Sequence, residues 1–487
     1  MNTLIMKYLI SIICLLLNIE NVLMVSSFPK LLIVSYDAFR YDYFNRNITP
    51  FMKELKEEGT DVDYMMNAFV TRTLPNHHTM ATGFYIETHG VLENRMFNKN
   101  GTILKNQSDV WHYNNNILPI WTINEKNGSG RHSGSMMWPG GEFDFGGIIP
   151  KFSTPLNVTT SWESRFDTLL SWFLHPKTPI NLGILYIEEP DFHAHAYGTE
   201  HPVVNGLLKK LDNYTYYIYN KLKDNNLTDV NVIHLSDHGM TEVNISRIIN
   251  ISQIIDLSDC EYLPTANTIF IIPHPGKEEI LYDKLNSAAN ETSKFRVYRK
   301  EEIPERFHYG NNERMTPIFV VAENGYAFEF LRDSFDYYQK TFNITIDDKS
   351  LFGIHGYDNE DKNMHPMFFA RGPAFKSHCK LEPFHNVDLF PLFCNILNLE
   401  CPPTNGTVNS FKKCLKSFSD NDEQKKSYSM LVPVLVALSV VGTISMLIGL
   451  YLRLKRRKEE VLYRRILDDA KMEHLWDEHQ DLENMWH

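Results

Sequence analysis

The chain runs KLLIVSYD at residues 30–37, an uninterrupted apolar segment of strand length that ends on an acidic residue. The same pattern returns in LGILYI at residues 182–187 and in VNVIHL at residues 230–235, each followed closely by an acidic residue. Strands that are apolar along their whole length are typical of parallel strands covered on both faces. These three segments therefore predict the central strands of a parallel sheet.

Helical patterns separate the predicted strands and occupy residues 49–58, 161–173 and 204–222. Alternation of strand and helix indicates an α/β fold in which helices cover both faces of the sheet. Ligands bind such sheets at the carboxyl ends of the strands, where we expect Asp37, Asp191 and Asp237 to meet. Residues 250–350 follow the pattern less regularly, and we expect them to form an insertion or a cap.

Composition restricts the class of protein. The chain has 487 residues, of which 43% are apolar and 13% aromatic, so it can bury a large core. Its 48 basic and 60 acidic residues give a net charge of -12. This charge argues against binding of a nucleic acid duplex, because phosphate backbones are bound by an excess of lysine and arginine. Phosphate chemistry in this protein would therefore need metal ions or a local site.

Both ends of the chain carry membrane-targeting signals. Residues 1–27 have the order of a cleaved signal peptide, with a lysine, an apolar run and then small residues. Residues 430–452 are uncharged and long enough for a membrane helix, and five basic residues follow within the next six positions. The positive-inside rule then predicts a single-pass type I protein of the plasma membrane, with residues 28–419 as the external domain, a linker at 420–429 and a cytoplasmic tail at 453–487.

The predicted external domain is rich in Asn-x-Ser/Thr sequons, whereas the predicted tail has none. Such sequons accept N-linked glycans in secreted and cell-surface proteins, so their distribution agrees with the topology derived from charge. The asparagines are Asn47, Asn100, Asn106, Asn127, Asn157, Asn213, Asn226, Asn244, Asn250, Asn290, Asn343 and Asn405.

Removal of the signal peptide takes away Cys14 and leaves five cysteines in an oxidising compartment. Because five is odd, one thiol is either free or links two chains into a disulfide-bonded dimer. Cys394 and Cys401 are close enough in sequence to close a small loop, and Cys260 with Cys379 is the next candidate pair. Spacing alone does not determine the connectivity.

Six aspartate and histidine residues stand at predicted strand ends or glycine-flanked turns. In EEPDFHAHAYG, Asp191 and His195 are four residues apart, so both side chains can reach one cation from the same side of a helix or turn. Mixed imidazole and carboxylate ligands suit zinc, and six of them would supply three ligands to each of two ions. The six are Asp37, Asp191, His195, Asp237, His238 and His355.

The segment TRTLPNHHT, residues 71–79, contains a candidate nucleophile, Thr73, before Pro75 and a helix-like start. A threonine hydroxyl is a poor nucleophile at neutral pH, but a zinc ion can hold it as the alkoxide. A helix amino terminus at this point would also favour an incoming anion. Taken by itself, a threonine in this position is more often an N-cap than a nucleophile.

Taken jointly, these motifs resemble the nucleotide pyrophosphatase/phosphodiesterase family of the alkaline phosphatase superfamily. They span residues 31–359 and are, in chain order, SYDAFR, TRTLPNHHT, HGVLEN, EEPDFHAHAYG, SDHGM and HGYDN. The chain is most similar to the short, single-domain, type I membrane members usually numbered four and five. The resemblance implies an alkaline-phosphatase-like α/β sheet sandwiched by helices, followed by a carboxyl-terminal single-pass membrane helix.

The resemblance also implies roles for individual residues. One zinc ion would be held by Asp191, His195 and His355, and the other by Asp37, Asp237 and His238. Thr73 would lie beside the second ion, as its ligand and as the nucleophile that attacks phosphorus. Asn94, in LENRM, would donate its amide to a non-bridging phosphate oxygen.

The implied reaction is hydrolysis of extracellular ATP, ADP, NAD or dinucleoside polyphosphates to nucleoside 5'-monophosphates through a covalent threonyl-nucleotide. Nucleotide-cleaving members commonly stack the base between an aromatic residue after the nucleophile and a tyrosine further on. This chain has Leu74 at the first position and Leu156 as the nearest match to the second. A choline-lipid phosphodiesterase is therefore an alternative, and a surface binding protein without catalysis is another.

Overall fold

The computed structural model describes residues 25–128, 130–416, 439 and 442–468. The chain divides into two compact units, residues 1–416 and residues 417–487. In the first unit, the strands form an eight-stranded sheet, a four-stranded sheet and two two-stranded sheets.

The strands are β1 (Lys30–Tyr36), β2 (Thr60–Asp61), β3 (Ser133–Met136), β4 (Phe152–Thr154), β5 (Leu182–Ile187), β6 (Val230–Leu235), β7 (Thr241–Asn244), β8 (Ile248–Ile249), β9 (Cys260–Pro264), β10 (Thr268–Pro273), β11 (Phe295–Arg299), β12 (Ile318–Ala322), β13 (Ala327–Phe328), β14 (Leu351–Ile354), β15 (Phe368–Arg371) and β16 (Cys379–Lys380). The α-helices of this unit are α1 (Pro50–Glu58), α2 (Thr73–Thr82), α3 (Ile86–His89), α4 (Gln107–Trp111), α5 (Ile120–Lys126), α6 (Trp162–Phe173), α7 (Asp191–Tyr197), α8 (Pro202–Asp224), α9 (Glu278–Thr292), α10 (Phe335–Phe342) and α11 (Leu389–Leu397).

The large sheet has the order β16-β2-β15-β6-β1-β5-β3-β4. β1 lies between β5 and β6 and is parallel to both, so the carboxyl ends of these three strands share one edge of the sheet. The three predicted strands and their parallel arrangement are confirmed. β15 pairs with β6 in the antiparallel sense, which makes the sheet mixed.

The side chains of β1 are buried on both faces of the sheet. Leu31 and Ile33 belong to one apolar core, and Leu32 and Val34 belong to a second core on the opposite face. Alternate side chains of a strand point to opposite faces, so a strand covered on both sides needs apolar residues at every position. This is the physical origin of the continuous apolar run at residues 30–37.

The three predicted helices are present as α1, α6 and α8. α6 begins after Ser161, whose hydroxyl accepts the backbone N–H of Ser164. α1 and α8 begin at Pro50 and Pro202, because the fixed φ of proline suits the first turn of a helix and its missing N–H is not needed there. α8 therefore starts two residues before the predicted segment 204–222.

Residues 250–350 are more regular than predicted. They include an antiparallel sheet of order β11-β12-β10-β9, which packs with α9 around a third core. β7 and β14 flank this subdomain in the sequence and pair with each other. The expected insertion is therefore present, and its sequence pattern is weak because short strands separated by 3-10 turns leave little periodic signal.

In the second unit, residues 442–468 are helical. Within the described part of the chain, no helix is both long enough and apolar enough to cross a membrane. The predicted span 430–452 and the predicted tail lie partly outside the described residues. The signal peptide lies almost wholly outside them, and the linker 420–429 wholly so. These assignments stay predictions.

Two disulfides link four of the five described cysteines. Cys394 is bonded to Cys401 as predicted, and Cys379 is bonded to Cys414. The candidate pair of Cys260 with Cys379 is therefore wrong. Cys260 carries a free thiol buried in the third core, a position that disfavours a disulfide between two chains.

The two disulfides are expected to contribute unequally to stability. The Cys379–Cys414 bond closes 35 residues and the Cys394–Cys401 bond closes 7, and a longer closed loop restricts the unfolded chain more. Replacing both cysteines of a pair by serine should cost about 4 kcal/mol for the first and about 2 kcal/mol for the second. Chemical denaturation of the two double variants measures the difference, and equal losses would contradict the loop-entropy argument.

Candidate metal centre and nucleophile

The carboxyl ends of β1, β5 and β6 bring the three predicted aspartates together. Asp37 follows β1 directly, Asp237 follows β6 after one residue, and Asp191 is the first residue of α7, just beyond β5. Gly239 allows the chain to leave this edge, since a Cβ atom there would lie 2.0 Å from the carbonyl oxygen of Asn363. The residue after the ligand pair must therefore lack a side chain.

Asp37, Asp237 and His238 form one group, whose ligand atoms lie within 4.8 Å of one another. Nε2 of His238 is 3.4 Å from Oδ1 of Asp37 and 3.3 Å from Oδ2 of Asp237. The hydroxyl oxygen of Thr73 is 3.3 Å from the same nitrogen. A cation bound by this group would therefore adjoin the predicted nucleophile.

Asp191, His195 and His355 form the adjacent group. Nε2 of His195 is 3.2 Å from Oδ2 of Asp191, and Nε2 of His355 is 3.5 Å from Oδ1. The rings of His238 and His355 are stacked with their centroids 3.7 Å apart, and the ligand atoms of Asp191, His238 and His355 also lie within 4.8 Å. The structure thus brings all six predicted ligands into one cluster, made of two adjacent groups.

The three histidines present the same nitrogen to this centre. In each, Nδ1 donates its hydrogen to a backbone carbonyl, which leaves the lone pair of Nε2 free for a metal ion. The pairs are His195 with Gly353 at 2.7 Å, His238 with Gly239 at 2.9 Å and His355 with Thr71 at 2.9 Å.

Three carboxylate oxygens facing the cluster are buried and accept no hydrogen bond. They are Oδ1 of Asp37, Oδ1 of Asp191 and Oδ2 of Asp237. Buried polar atoms without a partner are rare, and buried charges are normally paired or bound to a metal. Three oriented imidazoles and three unsatisfied carboxylates therefore fit a centre of one or two cations, with the mixed ligands that zinc accepts.

Crowding shifts the protonation of these groups. Burial and the charges of Asp237 and Asp191 raise the pKa of Asp37 well above its usual value. Burial, with His238 and Arg72 nearby, holds the pKa of His355 well below its usual value. A bound cation would stabilise both charged carboxylates and neutral imidazoles, which is the state that metal ligation requires.

Thr73 is the first residue of α2, and Arg72 rather than Thr73 is the N-cap. The Thr73 hydroxyl contacts His238 instead of capping the helix. Its carbonyl accepts the Nδ1 hydrogen of His77 at 2.8 Å. The half-buried hydroxyl thus lies at a helix amino terminus, where an incoming anion is favoured.

Asn94 lies beside this helix end on an exposed loop. Its side-chain oxygen accepts the backbone N–H of Leu74 at 3.0 Å. Because the oxygen is occupied, the amide group is left to donate to a ligand near Thr73. The structure therefore places the last predicted site residue beside the segment that carries Thr73.

Sequence reasoning missed the residues that support the site. The Asn76 side chain accepts the N–H of Ala68 and donates to the carbonyls of Ala68, Val70 and Arg72, so it shapes the loop before the nucleophile. The Tyr186 hydroxyl donates to Oδ2 of Asp37. The Asn in TLPNH was a detectable signal, since a buried Asn near a helix start commonly bonds the preceding backbone.

The sequence profile of the type I phosphodiesterase / nucleotide pyrophosphatase family matches residues 31–358, more than half of the chain and the segment that holds every site residue named above. The chain belongs to this family. The predicted family and enzyme class, a phosphodiesterase or nucleotide pyrophosphatase, are thereby confirmed.

Relatives match most of the chain. A bis(5'-adenosyl)-triphosphatase of Xenopus laevis is 36% identical over 80% of this chain and 82% of its own. Ectonucleotide pyrophosphatase/phosphodiesterase family member 5 of Homo sapiens is 34% identical over 80% of this chain and 78% of its own. Both match the short family members that the motifs resemble.

A solved structure gives the same α/β architecture. Murine ectonucleotide pyrophosphatase/phosphodiesterase 5, an inactive threonine-to-alanine variant in complex with AMP, aligns with a TM-score of 0.71 at 34% identity, covering 80% of this chain and all of that one. The sandwiched sheet implied by the resemblance is confirmed by this likeness.

Proposed function

We propose that the protein is a cell-surface phosphodiesterase with two zinc ions, which hydrolyses extracellular ATP, ADP, NAD or dinucleoside polyphosphates to nucleoside 5'-monophosphates. The observation that carries this proposal is a cluster of six aspartate and histidine side chains, in which His195 joins through Asp191 and His238 contacts the hydroxyl of Thr73. One zinc ion takes Asp191, His195 and His355 as ligands, and the other takes Asp37, Asp237, His238 and Thr73.

When bound, zinc supplies Lewis acidity that lowers the pKa of a hydroxyl and neutralises charge on phosphoryl oxygens. Thr73 Oγ1 forms a bond to phosphorus while the bond to the leaving group breaks, which produces a threonyl-nucleotide. The amide of Asn94 donates to a non-bridging oxygen and stabilises the charge that develops there. Water then attacks the same phosphorus, which releases the nucleoside monophosphate and restores the hydroxyl of Thr73.

The relatives support a nucleotide substrate. One is named for hydrolysis of bis(5'-adenosyl) triphosphate, and another was solved with AMP bound to a variant described as inactive. AMP is the product that the proposed reaction would release from an adenine dinucleotide.

The proposed cell-surface location rests on the predicted signal peptide and membrane helix and on the sequons. All twelve sequon asparagines lie outside the buried core, and all except Asn244 are exposed. Exposed asparagines are accessible to glycosylation in the secretory pathway. Glycosidase treatment of protein labelled on intact cells should therefore lower its apparent molecular mass. A protein that is not labelled on intact cells and whose apparent mass does not change would contradict the location.

The two leucines are expected to limit affinity for the base. Neither side chain has an aromatic ring on which a base could stack. Leu156 is 53% exposed, and Leu74 packs partly buried against the first core. The double variant Leu74→Phe/Leu156→Tyr should lower KM for bis(5'-adenosyl) triphosphate about 10-fold, because stacking on one base contributes about 1 to 3 kcal/mol. Methyl p-nitrophenyl phosphate, which has no base, is the control, and an equal change on both substrates would contradict the stacking argument.

The proposal is tested with the full chain, purified and loaded with zinc, on bis(5'-adenosyl) triphosphate, ATP and a choline lysophospholipid. Release of AMP that is abolished by Thr73→Ala and by a chelator supports it. Release of choline phosphate alone would favour the lipid alternative. A folded, zinc-loaded protein that cleaves none of the three would favour a surface binding protein.

A further inference from the structure

Two buried charged residues directly precede the proposed nucleophile and the proposed phosphate-binding asparagine. Arg72 precedes Thr73, and Glu93 precedes Asn94. Nε of Arg72 donates to Oε2 of Glu93 at 3.1 Å, and the two side chains are only 7% and 1% exposed. The ion pair therefore joins the two segments of chain that carry the reacting and binding groups.

The pair closes a ring of hydrogen bonds around Thr73. Oε1 of Glu93 accepts the backbone N–H of Asn94 at 2.9 Å, and the Asn94 side-chain oxygen accepts the N–H of Leu74 at 3.0 Å. Thr73 lies between Arg72 and Leu74, which are the two chain positions that this ring holds. The distance from the Thr73 hydroxyl to the Asn94 amide is therefore set by the ring.

Three further residues bind or enclose the guanidinium of Arg72. Nη2 donates to Oγ1 of Thr265 at 2.6 Å and to the side-chain oxygen of Asn267, in the turn between β9 and β10. Gly356 lies against the guanidinium, since a Cβ atom there would be 2.7 Å from Cζ of Arg72. A guanidinium so enclosed is not placed to bind substrate directly.

A buried ion pair is weak grounds for stability alone, because desolvation of both charges offsets most of their attraction. Its geometric value is greater, since the planar guanidinium of Arg72 is bound through Nε by Glu93 and through Nη2 by Thr265 and Asn267, which fixes the direction of the ion pair as well as its distance. Misplacement of a catalytic group by about 1 Å costs about 100-fold in rate.

We infer that Arg72 and Glu93 are positioning residues, which fix the amide of Asn94 relative to the hydroxyl of Thr73 and thereby act on kcat. The inference rests on the proposed function, in which these two groups meet the same phosphorus. It adds to that function a pair of side chains that touches neither substrate nor metal.

The test compares Glu93→Gln, Arg72→Met and Arg72→Lys in the full chain, loaded with zinc and assayed well below its unfolding temperature. Glu93→Gln keeps the acceptor for Asn94 but removes the charge, and Arg72→Met removes the fork. Each should lower kcat for methyl p-nitrophenyl phosphate about 10- to 100-fold and change KM less than about 2-fold. Affinity for orthovanadate, a trigonal-bipyramidal mimic, should fall by the same factor as kcat. Arg72→Lys, which keeps the charge, should recover part of the loss.

Asp61→Asn is the matched control. Asp61 is paired with Lys56 at 2.5 Å, and the side chains are 16% and 15% exposed, but neither residue contacts the site. This variant should lower the unfolding temperature without changing kcat or vanadate affinity.

The inference is overturned if Glu93→Gln and Arg72→Met lower the unfolding temperature as Asp61→Asn does, while kcat and vanadate affinity stay within about 2-fold of wild type. A wild-type protein that cleaves no diester but binds vanadate would overturn the proposed function alone. The vanadate affinity of the variants would still decide whether Arg72 and Glu93 position the site. A wild-type protein that does neither would overturn both.

Discussion

Thr73→Ala is expected to reduce turnover of phosphodiesters about 10,000-fold or more, the scale seen when a nucleophile is removed from an enzyme that uses covalent catalysis. The loss should be one of chemistry rather than folding. The hydroxyl does not cap α2, and its contact is with Nε2 of His238 at the metal centre. The unfolding temperature should therefore stay close to that of the wild type, and zinc should still bind because Asp37, Asp237 and His238 remain.

Thr82→Ala is the matched control for this variant. Thr82 belongs to the same helix, but its hydroxyl donates to the carbonyl of His78, so turnover should be unchanged. Thr73→Ser keeps a hydroxyl at the same position and should retain measurable activity. Rapid quenching of the wild type followed by mass spectrometry should find the nucleotide on the peptide that contains Thr73. An alanine variant with more than about one tenth of wild-type turnover would show that water attacks directly.

The sequence predicts where three of these aspartates meet because Asp37, Asp191 and Asp237 follow strands that are themselves easy to recognise. β1, β5 and β6 are buried on both faces, so they leave continuous apolar runs, and parallel strands bring their carboxyl ends to one edge. Once the strands are placed, Asp37 and Asp237 can only be neighbours. The order of the motifs then identifies the family.

The residues that support the site could not be predicted from the sequence in this way. Nothing local in the sequence distinguishes Arg72 and Glu93 from solvated surface charges, since their burial depends on the turn between β9 and β10, which lies far along the chain. The Cys379–Cys414 bond was missed for a similar reason. It depends on β16 lying beside the carboxyl end of the unit, a contact that spacing does not reveal.

Asp37→Asn is expected to abolish turnover and yet to stabilise the metal-free protein at neutral pH. Without a cation, the carboxylate of Asp37 is buried beside those of Asp191 and Asp237 and has an unsatisfied oxygen, so burial and repulsion by these two charges oppose its ionisation in the folded protein. An amide of the same shape removes one of these charges. In protein stripped by a chelator, the variant should unfold about 2 °C or more above the wild type at pH 7.5, although its zinc affinity should be at least about 100-fold weaker.

The dependence on pH follows from the sign of the shift. Burial and the charges of Asp237 and Asp191 raise the pKa of Asp37 in the folded protein, so the native state holds this proton more tightly than the unfolded state. Its contribution therefore destabilises the metal-free fold increasingly as the pH rises from the ordinary carboxyl pKa towards the raised one, and the penalty is relieved as the pH falls back over that range. The stability gap between metal-free wild type and Asp37→Asn should accordingly narrow from pH 7.5 to pH 5.

Asp212→Asn is the comparison that isolates the metal centre. Asp212 is also buried with a raised pKa, but it accepts the backbone N–H groups of Phe51 and Met52. Its replacement should leave zinc content intact and give no gain in stability, because an amide can accept only one of these two N–H groups and leaves the other without its acceptor. If Asp37→Asn instead destabilises the metal-free protein at pH 7.5 as much as at pH 5, the neighbouring carboxylates do not repel Asp37. The electrostatic argument for a cation at this edge of the sheet would then fail.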